Sequence, residues 1–189
     1  MRPIDLAPGE ALLHEGDPSR CAVVLPGIAY FSQAPMLWFA REAAQARGWS
    51  VLELTERAPR DEEPFAWMRD RAARALDAAE ADTVAVIGKS LASVAAPLVA
   101  ERRLPAVWLT PLLNRADVVG ALKAATAATL LVGSPADPTW GHGRVPGGPE
   151  VLELEGLDHS LQIEGDPLAS LHVLRAVTER VGTFLGQLD

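Results

Sequence analysis

The chain has 189 residues, enough for one domain with a full hydrophobic core and too few for two comfortable ones. Hydrophobic residues make up 49% of it and charged residues 22%, a balance that argues against intrinsic disorder. The net charge of −8 argues against a nucleic-acid partner, because phosphate backbones are bound by clustered Lys and Arg. We therefore expect a single domain over residues 1–189.

The start of the chain and its cysteine content set the expected compartment. The first ten residues include Asp5, Pro8 and Gly9 and lack the apolar run of a signal sequence. No stretch approaches the ~20 apolar residues of a membrane-spanning helix. Cys21 is the sole cysteine, so it forms neither an intramolecular disulfide nor a multi-cysteine metal site. We expect a cytoplasmic protein with no membrane partner, no metal and no cofactor.

Short apolar runs alternate with helical patterns from end to end. Several runs are almost continuously apolar, which is typical of strands buried on both faces of a parallel sheet. The predicted strands are residues 21–25, 50–54, 83–87, 106–109, 129–132 and 151–154, with residues 11–14 as a candidate edge strand.

Two of the intervening segments have clear helical spacing. The first has an apolar stripe at intervals of three and four, formed by Phe65, Met68, Ala72, Leu76 and Ala79. The second begins at Asp166-Pro167, an N-cap followed by proline. Its apolar face is formed by Leu171, Leu174, Val177, Val181 and Leu185. The alternation predicts a three-layer α/β fold with a mostly parallel sheet of about six or seven strands, which binds ligands outside the carboxyl ends of its strands.

The segment after the third of these strands carries the most informative motif. Residues 88–92 read Gly-Lys-Ser-Leu-Ala and match the nucleophile elbow Gly-x-Ser-x-Gly with alanine in the last place. A serine on a tight strand-to-helix turn needs small residues two positions before and after it, and Gly88 and Ala92 are small. The Gly-Lys-Ser triplet also ends the phosphate-binding P-loop, but Thr83 stands where that motif requires its first glycine. The alternative that remains is that Ser90 merely caps a helix.

A serine hydroxyl needs a base to become a nucleophile, and four histidines are available. His14 precedes the central strands, and His172 lies inside the last helix. His142 lies in a Gly-His-Gly loop, where nothing in the sequence fixes its geometry. His159 follows the last predicted strand, at the carboxyl edge of the sheet, and is therefore the predicted base.

The base needs an orienting acid from the preceding strand end. Asp137 follows the strand at 129–132, although an Asp-Pro pair is often only a turn. Asp158 is the other candidate, but it is adjacent to His159 and would usually point elsewhere. We take Asp137 as the acid.

The same edge supplies the predicted binding groups. The backbone amide of Leu91 and the amides near Ile28 and Ala29 are the expected oxyanion donors. The predicted pocket is open and bounded by Tyr30, Lys89, Leu112 and Trp140, each of which has a packing role as its alternative.

These residues resemble a family, the small bacterial α/β-hydrolases related to dienelactone hydrolases and serine esterases. The resemblance runs from about Cys21 to the carboxyl end. It rests on residues 25–30, the elbow at 88–92, residues 133–140 and residues 158–161, and the order Ser90, Asp137, His159 is the one that α/β-hydrolases use. Alanine replaces the usual second elbow glycine, and serine stands where cysteine is proposed in dienelactone hydrolases themselves.

The resemblance implies an α/β-hydrolase domain and a serine hydrolase acting on a small acyl substrate, an ester or thioester, through an acyl-serine intermediate. The short segment between the predicted strands at 106–109 and 129–132 leaves no room for a large lid. Two alternatives stay open. One is a non-hydrolytic enzyme on the same scaffold, such as a cyclase, lyase or acyltransferase, and the other is a catalytically idle binding protein. The sequence does not specify the oligomeric state.

Overall fold

The structure is a computed structural model that describes residues 1–59, 63–141, 145 and 148–188. Its strands are β1 (Arg2–Asp5), β2 (Glu10–His14), β3 (Asp17–Leu25), β4 (Trp49–Leu54), β5 (Thr83–Lys89), β6 (Ala106–Leu109), β7 (Thr129–Gly133) and β8 (Glu150–Glu153). Its α-helices are α1 (Pro35–Gln45), α2 (Pro64–Ala78), α3 (Ala96–Glu101), α4 (Ala116–Ala124) and α5 (Pro167–Leu185), with a 3₁₀ helix over Ser90–Ala95.

The strands form a single sheet in the order β1-β2-β4-β3-β5-β6-β7-β8. Strand β2 pairs antiparallel with both of its neighbours, β1 and β4. All of the remaining pairs, from β4-β3 across to β7-β8, are parallel. The predicted strands are confirmed, and the mostly parallel sheet has eight strands in the described residues rather than six or seven. The additional strand is β1, whose residues Arg2–Asp5 contain no apolar run and are ordered by pairing with β2.

Alternate residues of the central strands point to opposite faces, and each face is covered by helices. On one face Val23 and Val86 pack in a core cluster with Met68 of α2. On the other face Val24 and Ile87 pack with residues of α1 and α5, among them Leu37 and Val181. Both faces are apolar because both are buried, which explains the continuously apolar strands.

The helix that follows Ser90 and the last helix both differ from the sequence pattern. The first begins as a 3₁₀ helix and becomes α-helical only at Ala96. In α5, Asp166 accepts a hydrogen bond from the Ala169 amide and caps the helix as predicted. The predicted apolar face is buried at Val177, Val181 and Leu185, whereas Leu171 is 58% exposed.

The carboxyl ends of the strands carry unusual backbone geometry and little covering structure. Non-glycine residues with φ in the left-handed region follow β3, β5, β6 and β8: Ala29 (53°), Ser90 (50°), Thr110 (43°) and Leu161 (58°). Residues 110–115 alone separate β6 from α4, so no large lid is inserted there. None of the helices in the described residues has the length and apolar character to cross a membrane.

Candidate active site

The turn after β5 presents Ser90 at the carboxyl edge of the sheet. Ser90 has a φ of 50°, so the backbone reverses sharply as the strand passes into the 3₁₀ helix. A Cβ atom on Gly88 would lie 2.6 Å from the Trp108 ring and 2.9 Å from the Ala92 Cβ. The small residue that the motif requires two positions before the serine is therefore required by contacts in this fold.

The structure brings together the three residues that the sequence predicts as a catalytic set. His159 Nε2 lies 2.8 Å from Ser90 Oγ, and His159 Nδ1 lies 2.7 Å from Asp137 Oδ2. The three residues follow β5, β7 and β8, and the side chain of Asp137 is fully buried whereas that of His159 is 38% exposed. The histidine ring therefore faces solvent on one side and the buried carboxylate on the other.

The hydrogen bonds fix the tautomer of His159. A carboxylate can only accept, so Nδ1 carries the hydrogen that is donated to Asp137. In the neutral ring Nε2 is then an acceptor, and the Ser90 hydroxyl donates to it. This is the arrangement in which a histidine can take the proton of a serine.

Thr139 and Ser134 hold the acid loop, and the sequence prediction did not include them. The Asp137 Oδ1 atom accepts from the Thr139 amide at 2.8 Å and from the Thr139 hydroxyl at 2.9 Å. Ser134 Oγ accepts from the Leu157 amide at 3.1 Å and so ties the acid loop to the loop that carries His159. A hydroxyl two residues after an aspartate is the signal from which the role of Thr139 could have been predicted.

For Trp140 the structure favours the packing alternative over the predicted contact with a substrate. Trp140 is 1% exposed and belongs to the core, and its Nε1 donates to Glu153 at 2.8 Å. Its ring occupies the space that a side chain at Gly133 would fill, with a Cβ there only 2.0 Å from the ring. The tryptophan packs beneath the acid loop because Gly133 leaves room for it.

Lys89 was predicted to bound the pocket. In the structure it is buried, with 1% of its surface exposed. Its Nζ donates to Thr110 Oγ1 at 2.5 Å and to the His159 carbonyl at 2.7 Å, and it lies 4.8 Å from the centroid of the Tyr30 ring. Burial lowers the pKa of Lys89 to about 8, against the charges of Asp137 and Asp158, which raise it. Lys89 therefore links three of the loops around the site.

The remaining predicted binding residues lie around the rim. Tyr30 is half-buried, and its hydroxyl accepts from the Met36 amide at 3.0 Å; burial raises the pKa of this hydroxyl. Leu112 is half-buried, and its amide donates to Ser93 Oγ. Tyr30 thus packs and also lines a groove, and its contact with a substrate stays a prediction.

The predicted oxyanion donors come from the loop after β3 and the start of the 3₁₀ helix. Ile28 is 50% exposed, and Ala29 adopts a φ of 53° in a turn closed by the Gly27 amide and the Tyr30 carbonyl. Leu91 is buried in the first turn of the 3₁₀ helix, where amides have no acceptor within the helix.

The other described candidates for the base and the acid have other partners or lie on the surface. His14 lies 2.7 Å from Glu53, His172 is exposed on α5, and His142 lies outside the described residues. Asp158 accepts hydrogen bonds from the amides of Ser160 and Gln162.

Among the described residues, neither the cysteine nor a cluster of metal-ligating side chains provides a second reactive centre. Cys21 is buried, and its burial raises the thiol pKa to about 11. No group of three or more His, Cys, Asp or Glu side chains is arranged to hold a metal ion in the part of the chain that the structure describes.

Comparisons with known proteins show what this chain resembles. No protein-family model matches it, and no curated protein matches its sequence. Est1E from Butyrivibrio proteoclasticus, solved with ferulic acid bound, is 13% identical, with a TM-score of 0.77 over 100% of this chain and 99% of Est1E. Dienelactone hydrolase from Anabaena variabilis is 15% identical, with a TM-score of 0.74 over 99% of this chain and 96% of that enzyme.

A mouse protein, alpha/beta hydrolase domain-containing protein 10, matches over a similar extent. It is 9% identical, with a TM-score of 0.76 over 100% of this chain and 99% of the mouse protein. At such identities the likeness shows the fold alone. The fold that the motifs predict is confirmed, and the chain has the α/β-hydrolase fold.

Proposed function

We propose that this protein is a serine hydrolase that cleaves a small carboxylic ester or thioester through an acyl-serine intermediate. The observation that carries the proposal is the hydrogen-bond chain from Ser90 Oγ to His159 and on to the buried carboxylate of Asp137. Such a chain activates a serine when it stands where a carbonyl can approach, and the half-buried Ser90 stands at the open carboxyl edge of the sheet.

In the first half of the reaction Ser90 Oγ attacks the acyl carbon while His159 Nε2 takes the hydroxyl proton. The carbonyl oxygen becomes an oxyanion, which the amides of Leu91 and of Ile28 or Ala29 stabilise by donating hydrogen bonds. Asp137 keeps the ring in the right tautomer and stabilises the imidazolium that forms. The C–O or C–S bond then breaks as His159 returns the proton to the leaving oxygen or sulfur.

In the second half a water molecule attacks the acyl-serine and gives its proton to His159. Collapse of this second tetrahedral species returns the proton to Ser90 and releases the carboxylic acid. The short connection between β6 and α4 supports this route, because without a large lid water reaches the acyl-enzyme directly. The same openness favours small acyl substrates over substrates that must be enclosed.

The proposal is tested by labelling with a fluorophosphonate probe and by ester turnover. We expect a stoichiometric adduct on Ser90, located by peptide mass spectrometry, and turnover of p-nitrophenyl acetate and of a short acyl thioester. Ser90→Ala abolishes the adduct, and Ser90→Ala and His159→Ala each lower kcat by at least about 10⁴-fold, since the triad acts as a unit.

Matched controls come from residues of the same type away from the site. Ser19→Ala changes a serine near the amino end of β3, and His172→Ala changes an exposed histidine on α5, so both retain wild-type labelling and turnover. The absence of an adduct on folded protein at pH 8 would rule out the activated serine. An adduct without turnover would instead assign Ser90 to acyl transfer to an acceptor other than water.

A further inference from the structure

A groove of about 600 Å³ opens between α1, α5 and the loop that joins β8 to α5. This volume falls within the range of about 300–1,000 Å³ that is usual for small-molecule sites. Its apolar wall is formed by Tyr30, Met36, Leu161, Ile163, Leu171 and Leu174. We call this depression the α1–α5 groove.

One end of the α1–α5 groove lies beside the chain segment that carries His159, while His159 and Ser90 themselves are not among its lining residues. Asp158 and Ser160, the two neighbours of His159 in the chain, both line it. Tyr30 lines it too, and this residue also borders a second depression that contains Ile28 and Ala29. The groove therefore begins beside the chain segment that carries His159 rather than beside the acid loop.

The other end runs out over an apolar surface that the protein leaves uncovered. Leu171 and Leu174 also line a depression of about 230 Å³ together with Phe39 of α1. Leu171 is 58% exposed and Phe39 38% exposed, although Leu171 belongs to the apolar face of α5 by sequence pattern. An apolar path thus continues from beside His159 to the outer surface of α1 and α5.

The charges along the groove restrict what it can hold. Asp158, Glu164 and Asp166 line it, and no Lys or Arg is among its lining residues in the described chain. Backbone amides hold two of these carboxylates in place, those of Ser160 and Gln162 for Asp158 and that of Ala169 for Asp166. Carboxylate-bearing ligands are therefore repelled, and uncharged apolar ligands fit.

We propose that the α1–α5 groove binds the uncharged aliphatic alcohol chain of an ester, so that esters of medium-length alcohols are preferred substrates. This inference rests on the proposed hydrolase function. In that reaction the leaving oxygen must reach His159 Nε2 to take its proton, so the alcohol side of the ester lies against the histidine whose chain neighbours wall the groove. The alcohol then leaves along the groove, and the acyl group stays on Ser90.

The test measures kcat/KM for ethyl, butyl, hexyl and octyl acetate from the acetic acid released. Full burial of a methylene is worth about fourfold in affinity, so a groove that covers half of each one gives about twofold per methylene. We expect kcat/KM to rise about tenfold or more from butyl to octyl acetate. Lengthening the acyl chain in ethyl esters gives no comparable rise.

Two leucines on α5 provide a matched pair of variants. Leu171→Asp places a charge on the groove wall and lowers the octyl-to-ethyl ratio of kcat/KM about tenfold. Leu168→Asp makes the same change at a residue that is 70% exposed and does not line the groove. It leaves kcat/KM unchanged for both octyl and ethyl acetate. Because both positions are exposed, both variants are expected to fold.

A carboxylate at the far end of the alkyl chain tests the charge argument. We expect 7-carboxyheptyl acetate to react at least about fivefold more slowly than octyl acetate, and Glu164→Gln to narrow the gap. The inference would be overturned if kcat/KM did not change along the alkyl acetate series, or if Leu168→Asp lowered the octyl-to-ethyl ratio as much as Leu171→Asp does. Turnover of p-nitrophenyl acetate and labelling of Ser90 would still uphold the hydrolase in that case. A wild-type dimer that Leu171→Asp dissociates would also overturn the inference, because the surface would then be an interface between two copies.

Discussion

Gly88 stands two residues before Ser90, and its missing side chain lets β5 pass close to the Trp108 ring. The Cβ that Gly88→Ala adds would overlap both Trp108 and Ala92. We expect this variant to lose about 1–3 kcal/mol of unfolding free energy, which is typical of overpacking, and to label more slowly at Ser90 because the elbow shifts. Urea unfolding and the rate of fluorophosphonate labelling measure the two effects.

Gly120 in α4 provides the control for that substitution. No heavy atom lies within 4 Å of the position that its Cβ would take. Gly120→Ala is therefore expected to raise the unfolding free energy by about 0.5–1 kcal/mol, as helix propensity predicts, with unchanged labelling. Equal behaviour of the two variants would show that the contacts at Gly88 do not constrain the elbow.

Lys89 illustrates a residue that the site uses without exposing it. Lys89→Met removes the free-energy cost of burying a charged ammonium group. It also deprives the His159 carbonyl and the Thr110 hydroxyl of their hydrogen-bond donor. These effects oppose each other, so we expect the unfolding free energy at pH 7 to stay within about 1 kcal/mol of the wild type. The kcat is expected to fall at least about tenfold because the His159 loop is no longer held. A wild-type kcat in a stable Lys89→Met protein would contradict this.

The difference in unfolding free energy between the wild type and Lys89→Met is expected to depend on pH. The pKa of Lys89 is lowered to about 8 in the folded protein from an ordinary 10.5, so folding penalises the charged lysine fully below pH 8. The penalty is relieved as the pH rises from 8 towards 10.5. Between pH 7 and pH 9.5 the wild type should gain about 2 kcal/mol of unfolding free energy relative to Lys89→Met. Urea unfolding at the two pH values measures this difference, and a difference that stays constant would contradict it.

Strand β7 and the acid loop depend on one aromatic ring. Trp140→Phe keeps most of the packing against Gly133 but removes the hydrogen bond to Glu153. We expect it to lower the unfolding free energy by about 1 kcal/mol and to leave the KM for p-nitrophenyl acetate unchanged, because the ring is buried. A several-fold rise in KM at unchanged stability would instead place Trp140 in contact with the substrate.

The elements that the sequence predicted well are those whose side chains are buried on both faces. Strand 106–109 was predicted with its observed bounds because all four of its residues are buried. Strand β1 was missed because the residues Arg2–Asp5 have no pattern of their own and depend on pairing with β2. Leu171 fits the helical period but is 58% exposed on the wall of the open α1–α5 groove, and a period does not reveal whether a neighbouring helix packs closely or leaves a groove.

The site shows the same division. Ser90, Asp137 and His159 could be predicted as a set because each lies in the segment after a recognisable strand, and parallel strands bring their carboxyl ends to one edge. The positions of Lys89 and Trp140 could not, because each depends on a partner from another strand. The space at Gly133 admits the Trp140 ring, and the carbonyl of His159 and hydroxyl of Thr110 receive the lysine.

For the whole molecule, the sheet order joins segments that are distant in the chain. Ser90 and His159 are 69 residues apart and meet because β5, β6, β7 and β8 lie side by side. At the other end of the sheet, buried Glu53 of β4 lies 2.7 Å from His14 of β2 and 2.9 Å from Arg41 of α1. This cluster fastens the amino-terminal strands to the rest of the fold.

The contacts of Lys89 also have a consequence for how such a protein can diverge. Its single ammonium group serves loops that follow β3, β6 and β8, through Tyr30, Thr110 and His159. A loop transplanted from another protein would bring its own shape but would not supply the partner that the lysine needs. The rim of this site is therefore inherited as a set, and its loops are expected to covary among descendants rather than be exchanged one at a time.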